Sequence, residues 1–460
     1  MAPHWHQMPE LISSFVSSSS FKNSFLQIIY VINYFLFNFA NPKLFGPLSS
    51  GIYGNTSASS NFLLLNIDDF GARGDGCTDD TKKLQDVWKL ACSSSSRAKI
   101  VIPAKKSYHV RPTNFSGPCL SKVTLQISGV IVAPQDPEVW SGLDVHKWLY
   151  FRGVDYLTVE GGGKINGMGQ EWWAQSCKTN TSNPCTHAPT AITFHKCNKL
   201  QVRNITLINS QQMHMAFTSC VNVAVSGVKI LAPADSPNTD GIHISASTEV
   251  DLTGIAISTG DDCISIVSNS SKIRAKDIFC GPGHGISIGS LGKYNSSAAV
   301  QDVVVDGAVF IDTDNGVRIK TWQGGRGFAR KIKFQNIRMR NVSHPIIIDQ
   351  YYCDSPVSCR NQTSSVSIDS VIFRNIKGTS ETEEVITLSC SDDYPCTRLF
   401  LEDIQLDSMS GVAKASCWEA YGTSSGLVRP SPCVLSGDTL VRRTAKSYSM
   451  SMWIYDYAFF

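Results

Sequence analysis

Short apolar alternations recur through the middle of the chain, and their spacing restricts the fold more than any other feature. They read "ITFHKC" from Ile192, "MAFTSC" from Met215, "GIHIS" from Gly241, "CISIV" from Cys263, "GISIG" from Gly285, "GVRIK" from Gly316, "PIIID" from Pro345 and "VITLSC" from Val385. Aligned on one inward position they give Phe194, Phe217, Ile244, Ile266, Ile288, Ile319, Ile348 and Leu388, with gaps of 23, 27, 22, 22, 31, 29 and 40 residues. Further short strands, such as "KLQVRNITLINS" and "NVAVSGVKILAP", fill the gaps, with no helical stretch between them. A period of this size, built from short strands and turns, predicts an all-β solenoid: a single-stranded right-handed parallel β-helix. One coil cannot bury its own apolar face. Stacking the coils buries a continuous column of Ile, Val, Leu and Phe, so 460 residues can form one elongated unit.

An open solenoid end exposes unpaired strand edges. "DDTKKLQDVWKLAC" from Asp79 supplies a cover, because Leu84, Val87, Trp88 and Ala91 follow helical spacing behind an acidic start. This predicts a short N-terminal capping helix. The β-helix is expected over residues 62–435, preceded by a signal-like and linker segment over 1–61 and followed by a divergent tail over 436–460. The apolar run "FLQIIYVINYFLFNFA" from Phe25 is short for a membrane span. Three readings stay open for it: the apolar core of a secretory signal, a membrane anchor, or a mis-started reading frame.

Fifteen cysteines and eight Asn-x-Ser/Thr sequons favour an oxidising, secretory route and hence an extracellular or cell-wall location. Three late cysteine pairs stand close together: Cys353 with Cys359, Cys390 with Cys396, and Cys417 with Cys433. None has the spacing of a zinc site. The odd count leaves at least one thiol unpaired or bonded between chains. A net charge of +3 is too small to argue for a nucleic-acid partner, but it allows an acidic substrate if the positive charge is local.

The repeat also places polar residues. Asp240-Gly-Ile-His-Ile, Asp262-Cys-Ile-Ser-Ile, His284-Gly-Ile-Ser-Ile and Asn315-Gly-Val-Arg-Ile align, with 22 residues from Asp240 to Asp262 and 22 more to His284. Positions in register on consecutive coils lie about 4.8 Å apart. Asp240, Asp262 and His284 are therefore expected in one column with Asp261 beside it. Arg318 and Lys320 alternate with period two and share a face of the next coil. Three carboxylates so close cannot all ionise freely, and one is expected to keep its proton. A proton donor beside a carboxylate that activates water is the machinery of glycosidic hydrolysis. Two cations at its edge suit a substrate carboxylate, so the composite points to an acidic sugar polymer.

"SPNTDGIHIS" from Ser236, "TGDDCISI" from Thr259, "CGPGHGISIGSLG" from Cys280 and "NGVRIKTWQGG" from Asn315 resemble, in order, the four signatures of the polygalacturonases, glycoside hydrolase family 28. "FGARGDGCTDDT", "GGGKINGMGQEWW" and "IIIDQYYCD" extend the likeness, which runs from about Leu65 to Cys433 and is strongest to the plant branch. The resemblance implies inverting hydrolysis of α-1,4 bonds in homogalacturonan (pectin) with no metal or organic cofactor, and a monomer is expected. Asp261 resembles the general acid, and Asp240 and Asp262 the pair that holds and deprotonates water. His284 resembles a tuner of the acid. Arg318 and Lys320 resemble binders of the galacturonate carboxylate. Tyr352, with its register open by one because Tyr351 precedes it, resembles a tyrosine lining the sugar site, and Asn238 a polar wall of the cleft. Cys263 and Cys280 resemble a family disulfide. The first 60 residues, Cys77 within "GDGCTDD" and the tail after Cys433 depart from the family pattern. A non-catalytic pectin-binding relative and a rhamnogalacturonan hydrolase are the alternatives. The sequence leaves endo and exo action open.

Overall fold

The structure, a computed structural model, describes residues 62–436 apart from 356 and 358. The apolar run from Phe25 and the tail beyond residue 436 lie outside the described residues. Every strand pairing in it is parallel, and the strands wind into a right-handed parallel β-helix. Eleven strands form one ladder, beginning at Thr113–Ser116 and Lys147–Arg152 and ending at Glu384–Ser389 and Lys414–Trp418. Two further ladders complete each coil. They are separate in the early coils, as in Val221–Ser226 and Lys229–Leu231. From Thr248–Ser258 onward they fuse into one long strand per coil, since that strand pairs with both.

The fused strands still bend. Each bend passes through one left-handed residue, and these stack in register: Asn204, Gly227, Gly254, Asp277, Gly307, Asn336, Asn375 and Asp403. Asn, Asp and Gly tolerate this conformation best. At Gly227 a Cβ would stand 2.4 Å from the Asn204 Oδ1 of the preceding coil, so a side chain there would require the Asn204 amide to shift.

The inward column has the register expected from the sequence. Phe194 pairs with Phe217, Phe217 with Ile244, and the series continues through Ile266, Ile288, Ile319 and Ile348 to Leu388. All are fully buried. Toward the N-terminus it continues as stacked rings, with Phe115, Phe151, Phe194 and Phe217 at centroid spacings of 4.7, 5.3 and 5.5 Å. The variable gaps in the sequence are loops between coils, so they leave the column undisturbed.

The capping helix spans Thr81–Cys92 and buries Leu84, Val87, Trp88 and Ala91. Trp88 meets the end of the phenylalanine column, 5.1 Å from Phe115 and 5.4 Å from Phe151. The helix starts two residues later than the acidic pair suggests and has no acidic residue in its first turn. Asp79 Oδ1 accepts from the Thr81 N–H, while Asp80 turns away to accept from the N–H groups of Arg73 and Gly74.

Six disulfides are formed: the three late pairs, Cys263–Cys280, and also Cys92–Cys119 and Cys177–Cys185. Cys77, Cys197 and Cys220 are free thiols.

Candidate active site

All strands of the eleven-stranded ladder run the same way, so residues just before them share one bank and residues just after them share the other. Asp240 precedes Ile242–Ser245, Asp261 and Asp262 precede Ile264–Ile266, and His284 precedes Ile286–Leu291. The structure brings these four together on the entry bank. Arg318 and Lys320 reach them from within Asn315–Thr321, two strands beyond Asp262.

The turn that carries the two adjacent aspartates is tightly held. Gly260 lies against Ser236, where a Cβ would stand 2.0 Å from the Ser236 carbonyl oxygen, and its N–H donates to Thr239 Oγ1 at 3.0 Å. The Asp262 N–H donates to Asp261 Oδ1 at 2.7 Å. The His284 N–H donates to the Asp261 carbonyl at 2.8 Å, and the Cys263–Cys280 disulfide ties the following strand to its neighbour.

Asp261 is the aspartate that reaches solvent, with 19% of its side chain exposed against 3% for Asp262. His284 Nδ1 lies 3.1 Å from Asp261 Oδ1, and His284 Nε2 lies 3.3 Å from Asp314 Oδ2. Burial opposes charge on His284, but Asp261, Asp314 and Asp262 together hold its pKa above the ordinary value. Burial likewise works to raise Asp261. The hydrogen bond and charge of His284, with help from the Asp262 N–H and Lys320, override it and hold Asp261 low. Asn238 Nδ2 donates to Asp261 Oδ2 at 3.3 Å, so in this structure Asn238 orients the carboxylate itself.

Asp262 is buried among cations. Its Oδ1 accepts from Arg318 Nη2 and Ser287 Oγ, each at 2.8 Å, and its Oδ2 accepts from Lys320 Nζ at 2.8 Å. Arg318 and Lys320 therefore spend their charge on an internal aspartate, a pairing that period-two alternation alone did not reveal. Asp240 is buried and accepts from Ser265 Oγ at 2.8 Å. Burial, then the charges of Asp261 and Asp262, push its pKa well above the ordinary carboxylate value. Asp240 is thus the carboxylate whose surroundings favour the protonated form.

Tyr352 rather than Tyr351 faces this cluster. Its ring lies 5.3 Å from Lys320 Nζ and packs edge-on against Trp322 at 5.6 Å. Tyr351 points its hydroxyl to Asp392 instead, at 2.9 Å.

Four further residues support the site. Ser265 and Ser287 each donate from the following coil to an aspartate, and they share an outward register with His243 and Arg318. Once the inward Ile column is aligned, period two identifies them. His243 Nδ1 lies 2.8 Å from Ser265 Oγ, and burial lowers its pKa to about 4. His214, fully buried and also lowered to about 4 by burial, donates from Nδ1 to the Asp240 carbonyl at 3.1 Å and accepts the Ser210 N–H at Nε2. No sequence pattern marks His214, since its partners are backbone groups.

Among the described residues, Asp261, Asp262 and His284 are the one group with donor atoms close enough together, within 4.8 Å, to hold a metal ion. Those atoms already have hydrogen-bond and ion-pair partners within the protein.

A parallel β-helix with carboxylates and cations gathered on one outer face presents the groups that polysaccharide hydrolysis needs. The comparisons agree with that chemistry. The sequence profile of glycosyl hydrolases family 28 matches residues 92–425. A probable polygalacturonase of Arabidopsis thaliana is 55% identical over 393 residues, covering 85% of this chain and 88% of the relative. A polygalacturonase of Malus domestica is 47% identical over 379 residues, covering 82% and 81%. Two solved structures share the fold. An endo-xylogalacturonan hydrolase from Aspergillus tubingensis has a TM-score of 0.68 at 22% identity, over 79% of this chain and 99% of that one. A polygalacturonase from Erwinia carotovora has a TM-score of 0.64 at 19% identity, over 82% and 100%. The chain belongs to glycosyl hydrolases family 28, and it is a glycoside hydrolase.

Proposed function

We propose that this hydrolase cleaves the α-1,4-galacturonosidic bonds of homogalacturonan with inversion, by general acid/base catalysis, and that it works without metal or cofactor. The relatives named polygalacturonase support the substrate. The observation that carries the mechanism is the unequal treatment of three neighbouring carboxylates: Asp261 partly exposed and paired with His284, Asp262 locked by cations, Asp240 buried with its pKa raised.

Asp261 is the carboxylate within reach of a leaving oxygen, so it delivers the proton. In the free protein His284 favours its ionised form, while burial favours the protonated form of Asp240. Binding changes this balance. When a galacturonate carboxylate draws Arg318 and Lys320 toward itself, Lys320 no longer lowers Asp240 and Asp261, and the sugar adds a negative charge beside Asp261. Both effects raise Asp261 and bring it toward the protonated form a general acid needs. As Asp261 gains its proton from Asp240, the freed Asp240 carboxylate and Asp262, on the same bank, hold and deprotonate the attacking water. Tyr352 packs against the sugar, and Asn238 aims the acid.

Six disulfides suit an extracellular, cell-wall setting. The protein acts as a monomer on pectin, with no nucleic-acid partner. The test is incubation with polygalacturonate and with rhamnogalacturonan, followed by reducing-end assay and product sizing. Release from polygalacturonate, unchanged by chelator, supports the reading. Binding without release, or release from rhamnogalacturonan alone, defeats it.

A further inference from the structure

Two loops meet across the site. Lys178 lies in the segment entering the strand Thr190–His195, the third of the eleven, and Asp354 follows the strand His344–Asp349, the ninth. Six strand spacings separate them along the axis, about 29 Å at about 4.8 Å each. They also start from opposite banks. Yet Lys178 Nζ and Asp354 Oδ1 stand 2.6 Å apart. Each partner adjoins a disulfide that pins its loop: Cys177–Cys185 beside Lys178, and Cys353–Cys359 beside Asp354.

The meeting point is next to the chemistry. Asp354 is two residues from Tyr352, whose ring lies 5.3 Å from Lys320 Nζ, and Lys320 holds Asp262. Four of the five strands between the two loops carry or follow Asp240, Asp261, Asp262, His284, Arg318 and Lys320. A polymer lying along this face must pass the Lys178–Asp354 contact.

We propose that Lys178 is a substrate-binding residue for the galacturonate chain, and that Asp354 stands in for a sugar carboxylate until the chain arrives. This rests on the reading of polygalacturonate as substrate. The side chains of the pair are 51% and 42% exposed, so the ion pair is weak and easily exchanged. A homogalacturonan chain carries one carboxylate per sugar, and it offers Lys178 the same charge and geometry as Asp354. Lys178 thereby adds a third cation, contributed from the entry bank, to Arg318 and Lys320.

The two partners therefore respond oppositely. Asp354→Asn removes a competitor and lowers KM for polygalacturonate by up to about fivefold. Lys178→Met removes the ligand and raises KM by about fivefold. In both, kcat stays within about twofold, since neither side chain touches the acid or the base. Wild-type turnover of polygalacturonate tests the substrate reading separately. Calorimetric binding of a galacturonate oligomer, repeated in the Asp261→Asn background, tests the Lys178 contact even where turnover is absent. Opposite shifts of KM or Kd in the two variants uphold the assignment. An unchanged or tighter value in Lys178→Met overturns it, and so does a weaker value in Asp354→Asn.

Discussion

Lys320→Met separates an internal anchor from a free substrate cation. Among the described residues Lys320 Nζ is the one partner of Asp262 Oδ2, at 2.8 Å, while Arg318 and Ser287 both serve Oδ1. The pair is buried, at 9% and 3% side-chain exposure. Methionine fills similar space but leaves Oδ2 as a buried, charged acceptor with no donor. Removing one partner of a buried ion pair costs about 3–5 kcal/mol. Asp262 keeps Arg318 and one serviced oxygen, so the lower end applies, about 3 kcal/mol, or roughly 150-fold in the folding equilibrium. The control is Lys272→Met, which breaks an exposed pair with Glu249 at 3.1 Å and should change stability by less than about 0.5 kcal/mol. Urea unfolding of both variants beside wild type gives the comparison. Equal stability of Lys320→Met and Lys272→Met would refute the claim that Lys320 holds the cluster together.

Other predictions concern protons and the scaffold. Asp240 is raised, so the stability it contributes is present below the ordinary carboxylate pKa and is lost as pH rises through its raised value. Asp240→Asn should therefore melt above wild type at neutral pH, the gain vanishing below about pH 4. Asp261 is lowered, so its contribution is present above the ordinary value and lost as pH falls through the folded one. Asp261→Asn should melt below wild type at neutral pH, opposite in sign to Asp240→Asn. Replacing Cys263 and Cys280 by Ser opens a link spanning 17 residues, at a cost of about 3 kcal/mol, measurable by denaturant unfolding. Phe194→Ala breaks two ring contacts, at 5.3 and 5.5 Å, and should cost about 3–5 kcal/mol in the same assay.

The coil register was legible because stacking couples sequence to space simply. One inward residue per coil, Phe194 through Leu388, fixes the depth of every neighbour, and the gathering of distant aspartates follows. What was not legible depends on partners outside that repeat. The direction of Arg318 and Lys320 was hidden, since alternation gives a face but no partner. His214 serves the site through backbone groups, which no side-chain pattern reports. The Cys92–Cys119 and Cys177–Cys185 bridges and the Lys178–Asp354 contact belong to loops, whose paths have no period. The raised pKa of Asp240 arises from its burial together with the charges of Asp261 and Asp262, and the motif around Asp261 does not encode those surroundings.

The account turns on Asp261 as the proton donor at the solvent-facing edge of the cluster. The direct measurement is the turnover of polygalacturonate by Asp261→Asn, with intact folding checked by circular dichroism. The account predicts a fall of about 10²–10⁴-fold in kcat. A folded variant that cleaves at the wild-type rate would contradict it.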